Sequence, residues 1–261
     1  MTPLFDGPGR DPLAPLAQES LLVAFDFDGT LAPIVADRDR ASMREDTREL
    51  LAALCALVPC AVISGRGLAD LGPRVAGTGV RYLVGNHGIE PSPGMDRFAR
   101  EAATARGLLA GALAGQAGLD FEDKHYSLSI HYRRSADPAA SRLAILEAVW
   151  ALPVAARVVE GECVVNVVPR EAPNKGDALR RLKHEVGADR AIYVGDDVTD
   201  EDAFALDRSG EALAVRVGPS PGSRARYFLR DQREVDRLVA RLAQLRRESL
   251  PATGAGPAID G

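Results

Sequence analysis

Two aspartates spaced i, i+2, Asp26 and Asp28, follow the apolar run Leu21 to Phe25 and precede Gly29-Thr30. If extended geometry persists past the run, both carboxylates share a face and Phe27 points away, while the Gly-Thr turn lets the chain leave. Carboxylates that close repel, so one must hold a proton or a cation must lie between them; oxygen ligands alone favour Mg²⁺ over softer metals. The same spacing also fits a calcium-type turn or a plain strand-end loop. Three further clusters place polar or charged groups at the ends of apolar runs or at a helix start. Ser64-Gly65-Arg66 ends a second apolar run and offers a hydroxyl and a glycine amide at a helix start; alone it reads as a helix cap. Lys175, in Pro173-Asn174-Lys175-Gly176, opens a helix, where a positive side chain meets the positive end of the backbone dipole, a structural cost that points to use. The run Gly195-Asp196-Asp197-Val198-Thr199-Asp200-Glu201, continued by Asp202, crowds acidic side chains at one strand end, which calls for a cation or for solvent.

These clusters need strands to hold them. Short continuous apolar runs at 21–25, 60–63, 80–84, 190–194 and 212–217 read as strands buried on both faces of a parallel sheet, with a possible edge strand at 227–229. Leucines at helical spacing within 44–58, a helix after Ser64, another to about Val186 and an amphipathic segment at 233–247 supply the crossovers and the closing helix. Between 91 and 169 the pattern changes to helix (98–118), strands (119–124 and 127–133), helix (138–152) and strands (154–160 and 163–168). The chain therefore reads as an α/β protein, a Rossmann-like doubly wound parallel-sheet core with an inserted α+β cap of helix-strand-strand twice over. The expected divisions are a flexible lead (1–19), the core (20–91 and 170–248), the cap (92–169) and a disordered tail (249–261).

On the cap, Glu122 and Lys124 share strand parity, as do His131 and Arg133. Such a face could grip a polyhydroxylated ligand through directional hydrogen bonds, or it could be a solvated sheet face with cross-strand ion pairs. A formal net charge of −5 and a pI near 5.5 give no electrostatic ground for nucleic acid or anionic membrane as partner. No stretch approaches the roughly 20 apolar residues of a membrane span, and 1–20 lacks a signal-peptide layout, so a cytoplasmic monomer acting on a small molecule is expected. Cys55, Cys60 and Cys163 form neither a disulfide set nor a zinc spacing and read as reduced core residues.

The DxDGT stretch resembles the signature of the haloacid-dehalogenase-like phosphatases. Gly85-Asn86-His87-Gly88-Ile89-Glu90, the cap segment EDKHYSLSIHYR from Glu122 and GDDVTDE from Gly195 narrow the resemblance to trehalose-6-phosphate phosphatases across about Leu21 to Arg247. The resemblance implies Asp26 as nucleophile, Asp28 as acid and base, and Ser64, Gly65 and Lys175 around the phosphoryl group. It further implies Mg²⁺ on Asp26, the Asp28 carbonyl and Asp196, supported by Arg66, Asp197 and Asp200. The sugar would meet Asn86, His87, Gly88, Glu122, Lys124, Arg133 and Asn166. One departure stands out: the last cap strand commonly carries E-x-R-P in that family, and here reads Asn166-Val167-Val168-Pro169. Sucrose phosphate or a glycosyl-phosphoglycerate therefore remains open as substrate. So do a silent sugar-phosphate-binding module and a phosphomutase.

Overall fold

The computed structural model describes residues 1–5, 11–161 and 163–249. Seven strands form one parallel sheet: β1 (Thr2–Pro3), β2 (Leu21–Phe25), β3 (Cys60–Ile63), β4 (Tyr82–Val84), β9 (Arg190–Gly195), β10 (Ala212–Val217) and β11 (Tyr227–Leu229). Their order is β1-β11-β10-β9-β2-β3-β4. The chain thus builds outward from β2 to β4 on one side and returns to lay β9 against β2 on the other. That reversal leaves a crevice at the carboxyl ends of β2 and β9, where open α/β sheets bind ligands.

Alternation along β2 divides the core. Leu21, Val23 and Phe25 pack against helices α1 (Glu45–Cys55), α2 (Leu68–Val75) and α7 (Glu234–Ser249). Leu22 and Ala24 face α5 (Lys175–Glu185) and the short α6 (Glu201–Phe204). A strand covered on both faces has to be apolar throughout, which is why Leu21–Phe25 shows no polar alternation.

Between β4 and α5 the chain forms α3 (Met95–Ala112), β5 (Asp120–Asp123), β6 (Leu128–His131), α4 (Pro138–Trp150), β7 (Ala156–Gly161) and β8 (Val164–Pro169). The strands make an antiparallel sheet ordered β5-β6-β8-β7. Leu128, Ile130, Val165 and Val167 bury one face under α3 and α4, and the alternate residues Ser129, His131, Asn166 and Val168 take the opposite face. This is the expected inserted cap, with element ends shifted by a few residues.

The N-terminal lead departs from expectation. Thr2–Pro3 pairs in parallel with β11, Leu13 and Leu16 are buried, and Arg241 Nε donates to Asp11 Oδ2 at 2.8 Å. Its prolines and glycines break local periodicity, but long-range pairing at a sheet edge, where Pro3 need not donate outward, holds it. The expected tail lies outside the described residues from 250 onward. Cys55, Cys60 and Cys163 are free thiols. Among the described residues, no helix is long and apolar enough to cross a membrane.

Candidate active site

β2 ends at the bottom of the crevice, and Asp26 is its next residue. The Asp26 amide donates to the Val194 carbonyl of β9 at 2.8 Å, while Phe27 N donates to Asp26 Oδ1 at 2.6 Å. Lys175, the first residue of α5, arrives from the facing helix. The cap of that helix is reciprocal: Asn174 Oδ1 accepts from Asp177 N, and Asp177 Oδ2 accepts from Asn174 N. The Lys175 ammonium, 1% exposed, donates to Asp26 Oδ2 at 2.8 Å and to Asp200 Oδ1 at 2.7 Å. Burial alone would lower its pKa; the carboxylates of Asp200 and Asp26 more than reverse this and hold it above the ordinary lysine value.

Asp200 is fully buried and fully bonded. Oδ1 also accepts from the Tyr193 hydroxyl at 2.7 Å, and Oδ2 accepts from the amides of Asp196 and Asp197 at 3.0 and 2.9 Å. Burial, reinforced by the Asp200 charge, keeps Tyr193 protonated and therefore a donor. Tyr193 lies in an apolar strand and gave no sign of a polar role in the sequence.

Asp26, Asp196 and Asp200 each offer an oxygen within 4.8 Å of the others. Burial pushes the Asp26 carboxyl well up despite Lys175, with repulsion from Asp200 and Asp196 adding to it. Burial and Asp200 together push Asp196 up to about 7. One ammonium thus serves three carboxyls, and the donors are all hard oxygens, a set suited to Mg²⁺. Since Asp200 already accepts four hydrogen bonds, Asp26 and Asp196 are the carboxylates with capacity left for a cation. Thr30 Oγ1 orients Asp196 by donating to Oδ1 at 3.1 Å. Gly29 is required beside it: φ is +78°, and a β-carbon there would collide with the Asp196 carboxylate.

The Asp28 carboxylate is not part of this cluster. β2 has ended and the chain is turning, and Asp28, which borders the same cleft as Asp26, is engaged by Arg66. Arg66 Nε donates to Oδ2 at 2.6 Å and Nη2 to Oδ1 at 2.7 Å, a two-point fork. The buried Arg66 also donates to Asp70 Oδ2 and to the Arg38 carbonyl, each at 2.6 Å. Ser64 is buried at the end of β3, its Oγ accepting the Arg66 amide at 3.2 Å. The His87 ring lies so close over Gly65 that a β-carbon at 65 would meet it. Asp26, Asp28, Gly65, Arg66, His87 and Lys175 border one cleft of about 370 Å³, with Asp196 and Asp197 at its rim and Lys124 reaching in from the cap.

Other expected contacts fall elsewhere. Asn86 Nδ2 donates to Glu90 Oε2 at 3.0 Å, and Gly88 packs on the Asn174 backbone, so these two build the loop that presents His87 and do not border the cleft. Glu122 Oε2 lies 3.0 Å from His131 Nε2 and 4.0 Å from Lys124 Nζ, and Glu122 Oε1 accepts from Arg38 of the core. The His131 bond first, then Lys124 and Arg38, draw the Glu122 carboxyl down to about 2. Arg133 borders a separate cavity with Arg38, Glu122 and His131. Asn166 is committed within the cap: Oδ1 accepts from Ser129 Oγ at 2.6 Å and Nδ2 donates to the Val159 carbonyl at 2.9 Å. Neither Arg38, in an exposed turn, nor Thr30, inside the motif, carries a sequence signal for these contacts.

A parallel sheet with acidic groups at its switch point and a cap inserted after the third strand of the core motif is the haloacid-dehalogenase-like architecture. The chain belongs to the trehalose-phosphatase family, whose model matches residues 24–233. It is 35% identical over 250 residues to a trehalose-phosphate phosphatase of Mycobacterium bovis, a match covering 88% of this chain and 63% of that protein. It is 42% identical over 213 residues to an uncharacterized glycosyl hydrolase of Mycobacterium tuberculosis, covering 74% of this chain and 16% of that protein. The chain thus spans only part of the curated relatives it matches. Among solved structures, trehalose-6-phosphate phosphatase of Aspergillus fumigatus superposes with a TM-score of 0.69 at 26% identity, covering 94% of this chain and 99% of that one. The C-terminal domain of the Candida albicans enzyme gives 0.73 at 24% identity, covering 94% and 99%, a likeness of fold.

Proposed function

We propose that this chain is a Mg²⁺-dependent phosphatase that hydrolyses trehalose 6-phosphate to trehalose and phosphate, acting as a cytoplasmic monomer. The observation that carries the reading is the buried Lys175 ammonium between Asp26 and Asp200, at the floor of a cleft that Asp28 also borders. A carboxylate so held is oriented for in-line attack, and the ammonium offsets the charge of an arriving phosphate.

An Asp26 oxygen attacks phosphorus and the bond from phosphorus to the sugar oxygen breaks, with Asp28 giving that oxygen its proton. Water then attacks the aspartyl-phosphate, Asp28 takes the water's proton, and the Asp26 carboxylate leaves. Arg66 holds Asp28 at the cleft wall through its fork, and one Asp28 oxygen must leave that fork to carry the proton to the sugar oxygen and later to take it from water. Ser64, the Gly65 amide and Lys175 hold the phosphoryl oxygens. Asp26, Asp196 and the Asp28 carbonyl would hold Mg²⁺, with Asp197 and Asp200 in support. Bound Mg²⁺ supplies the positive charge that lets anionic nucleophile and phosphate approach. Lys124 and Glu122 bring the cap to the sugar and, with His87, keep bulk water from the cleft.

The test is phosphate release from trehalose 6-phosphate beside sucrose 6-phosphate, glucose 6-phosphate and a small aryl phosphate, with Asp26→Asn as control. Preference for trehalose 6-phosphate, lost in the variant, is expected. Because Asn166 is tied to Ser129 and Val159 and Val168 is apolar, better turnover of another sugar phosphate would keep the chemistry and replace the substrate. Turnover of none would remove the activity.

A further inference from the structure

Beside Lys175, on the seam between cap and core, lies a second cavity of about 200 Å³, bordered by Arg157, Asp202, His87 and Val168. His87, Lys175 and Thr199 border both this cavity and the main cleft, so the two adjoin. Arg157 stands on β7 directly opposite Val168 of β8. It therefore supplies a guanidinium to the cap face beside the apolar Val168, in a cavity that Asn166 of the same strand also borders.

The polar groups around this cavity are under-used. Among the described residues, the one hydrogen bond of Arg157 is a long one, from Nη2 to the Pro173 carbonyl at 3.4 Å. No hydrogen bond or ion pair engages the Asp202 carboxylate there, although the charges of Arg157 and Asp202 act on each other. His87 Nδ1 is buried without a partner. Arg157 and Asp202 are half-buried, so their spare hydrogen-bonding capacity faces the cavity, whereas a buried nitrogen such as His87 Nδ1 is normally satisfied. A guanidinium that can only donate and a carboxylate that can only accept, set apart across a cavity, match a neutral occupant whose hydroxyls do both. The volume falls below the roughly 300 Å³ of an ordinary ligand pocket, so it suits part of a ligand whose remainder fills the main cleft.

We propose that Arg157 and Asp202 form a hydroxyl-binding subsite for the sugar that carries the phosphate or its neighbouring unit, and so help select a glycosyl phosphate over a small phosphate ester. This rests on the phosphatase reading above. Here Arg157 takes the role that Val168 cannot.

The experiment compares wild type, Arg157→Met, Asp202→Ala and Arg157→Lys on trehalose 6-phosphate and on the small aryl phosphate. One lost hydrogen bond to a charged group predicts a fall of about 10- to 100-fold in kcat/KM for trehalose 6-phosphate, mostly as a raised KM. Aryl phosphate turnover should stay within about threefold of wild type, and Arg157→Lys should recover part of the loss. An equal loss on both substrates, or no loss on the sugar phosphate, overturns the subsite. If wild type prefers another sugar phosphate, the proposed substrate fails while the same comparison on that substrate still decides the subsite. If wild type turns over none, calorimetric binding of trehalose 6-phosphate decides it: weaker binding by Arg157→Met supports the subsite, and equal binding overturns it.

Discussion

Asp200 should be the structural keystone of the cleft, and the size of its contribution follows from its bonds. Oδ1 accepts from Lys175 and Tyr193, and Oδ2 accepts from the amides of Asp196 and Asp197. Asp200→Asn keeps the shape but turns one oxygen into a donor. Placed toward the amides, the new NH₂ confronts two donors; placed toward Lys175, it confronts an ammonium. Each buried donor left unmatched costs about 1–3 kcal/mol, and removing one member of a buried ion pair costs about 3–5 kcal/mol, so a loss of about 3–5 kcal/mol is expected. Tyr193→Phe removes one hydrogen bond to a charged acceptor and should cost about 1.5–3 kcal/mol. Urea unfolding followed by circular dichroism, in EDTA so that no metal contributes, reads both as lowered midpoints at unchanged slope. A cost below about 1 kcal/mol for Asp200→Asn, or one no larger than that of Tyr193→Phe, would refute this reasoning.

Other outcomes follow from the same geometry. Lys175→Met should lower kcat by at least about 10²-fold, measured as phosphate release at saturating substrate, because no other cation touches Asp26 among the described residues. Gly29→Ala should destabilise the protein by more than about 1–2 kcal/mol and weaken Mg²⁺ binding in calorimetry, since the positive φ and the Asp196 carboxylate both exclude a β-carbon. Glu122 is drawn down from 4.5 to about 2, so its ionised contacts with His131, Lys124 and Arg38 contribute fully above pH 4.5 and are lost as pH falls toward 2. A carboxyl-carbon NMR titration should therefore show no Glu122 inflection at the usual value, and Arg38→Ala should move it upward.

The layout of the core was legible because fully buried parallel strands must be apolar runs, and Leu21–Phe25, Cys60–Ile63 and, after Arg190, the rest of Arg190–Gly195 are. Asp26, Lys175 and Asp196 could be expected at one place since each follows or faces such a run. The partner of Asp28 could not: it lies three residues past the strand, where period-2 reasoning no longer holds, and the Arg66 fork is a contact between segments 38 residues apart. Tyr193 reads as core because only its hydroxyl, at the end of a buried ring, is polar. Arg38 and Arg157 are lone arginines whose partners are set by the cap meeting the core. Asn86, Gly88 and Asn166 also serve the loop or the cap sheet, a second use that a motif position does not reveal in sequence, and Asn166 still borders the cavity beside Lys175.

The central claim, that Asp26 carries the phosphoryl group in turnover, is tested most directly by rapid acid quench of the protein with trehalose 6-phosphate and Mg²⁺, followed by peptide mass mapping. The account predicts a transient phosphorylated peptide containing Asp26 that forms no later than trehalose, and no such peptide in Asp26→Asn. Phosphate release without any phosphorylated peptide, or undiminished release by Asp26→Asn, would contradict it.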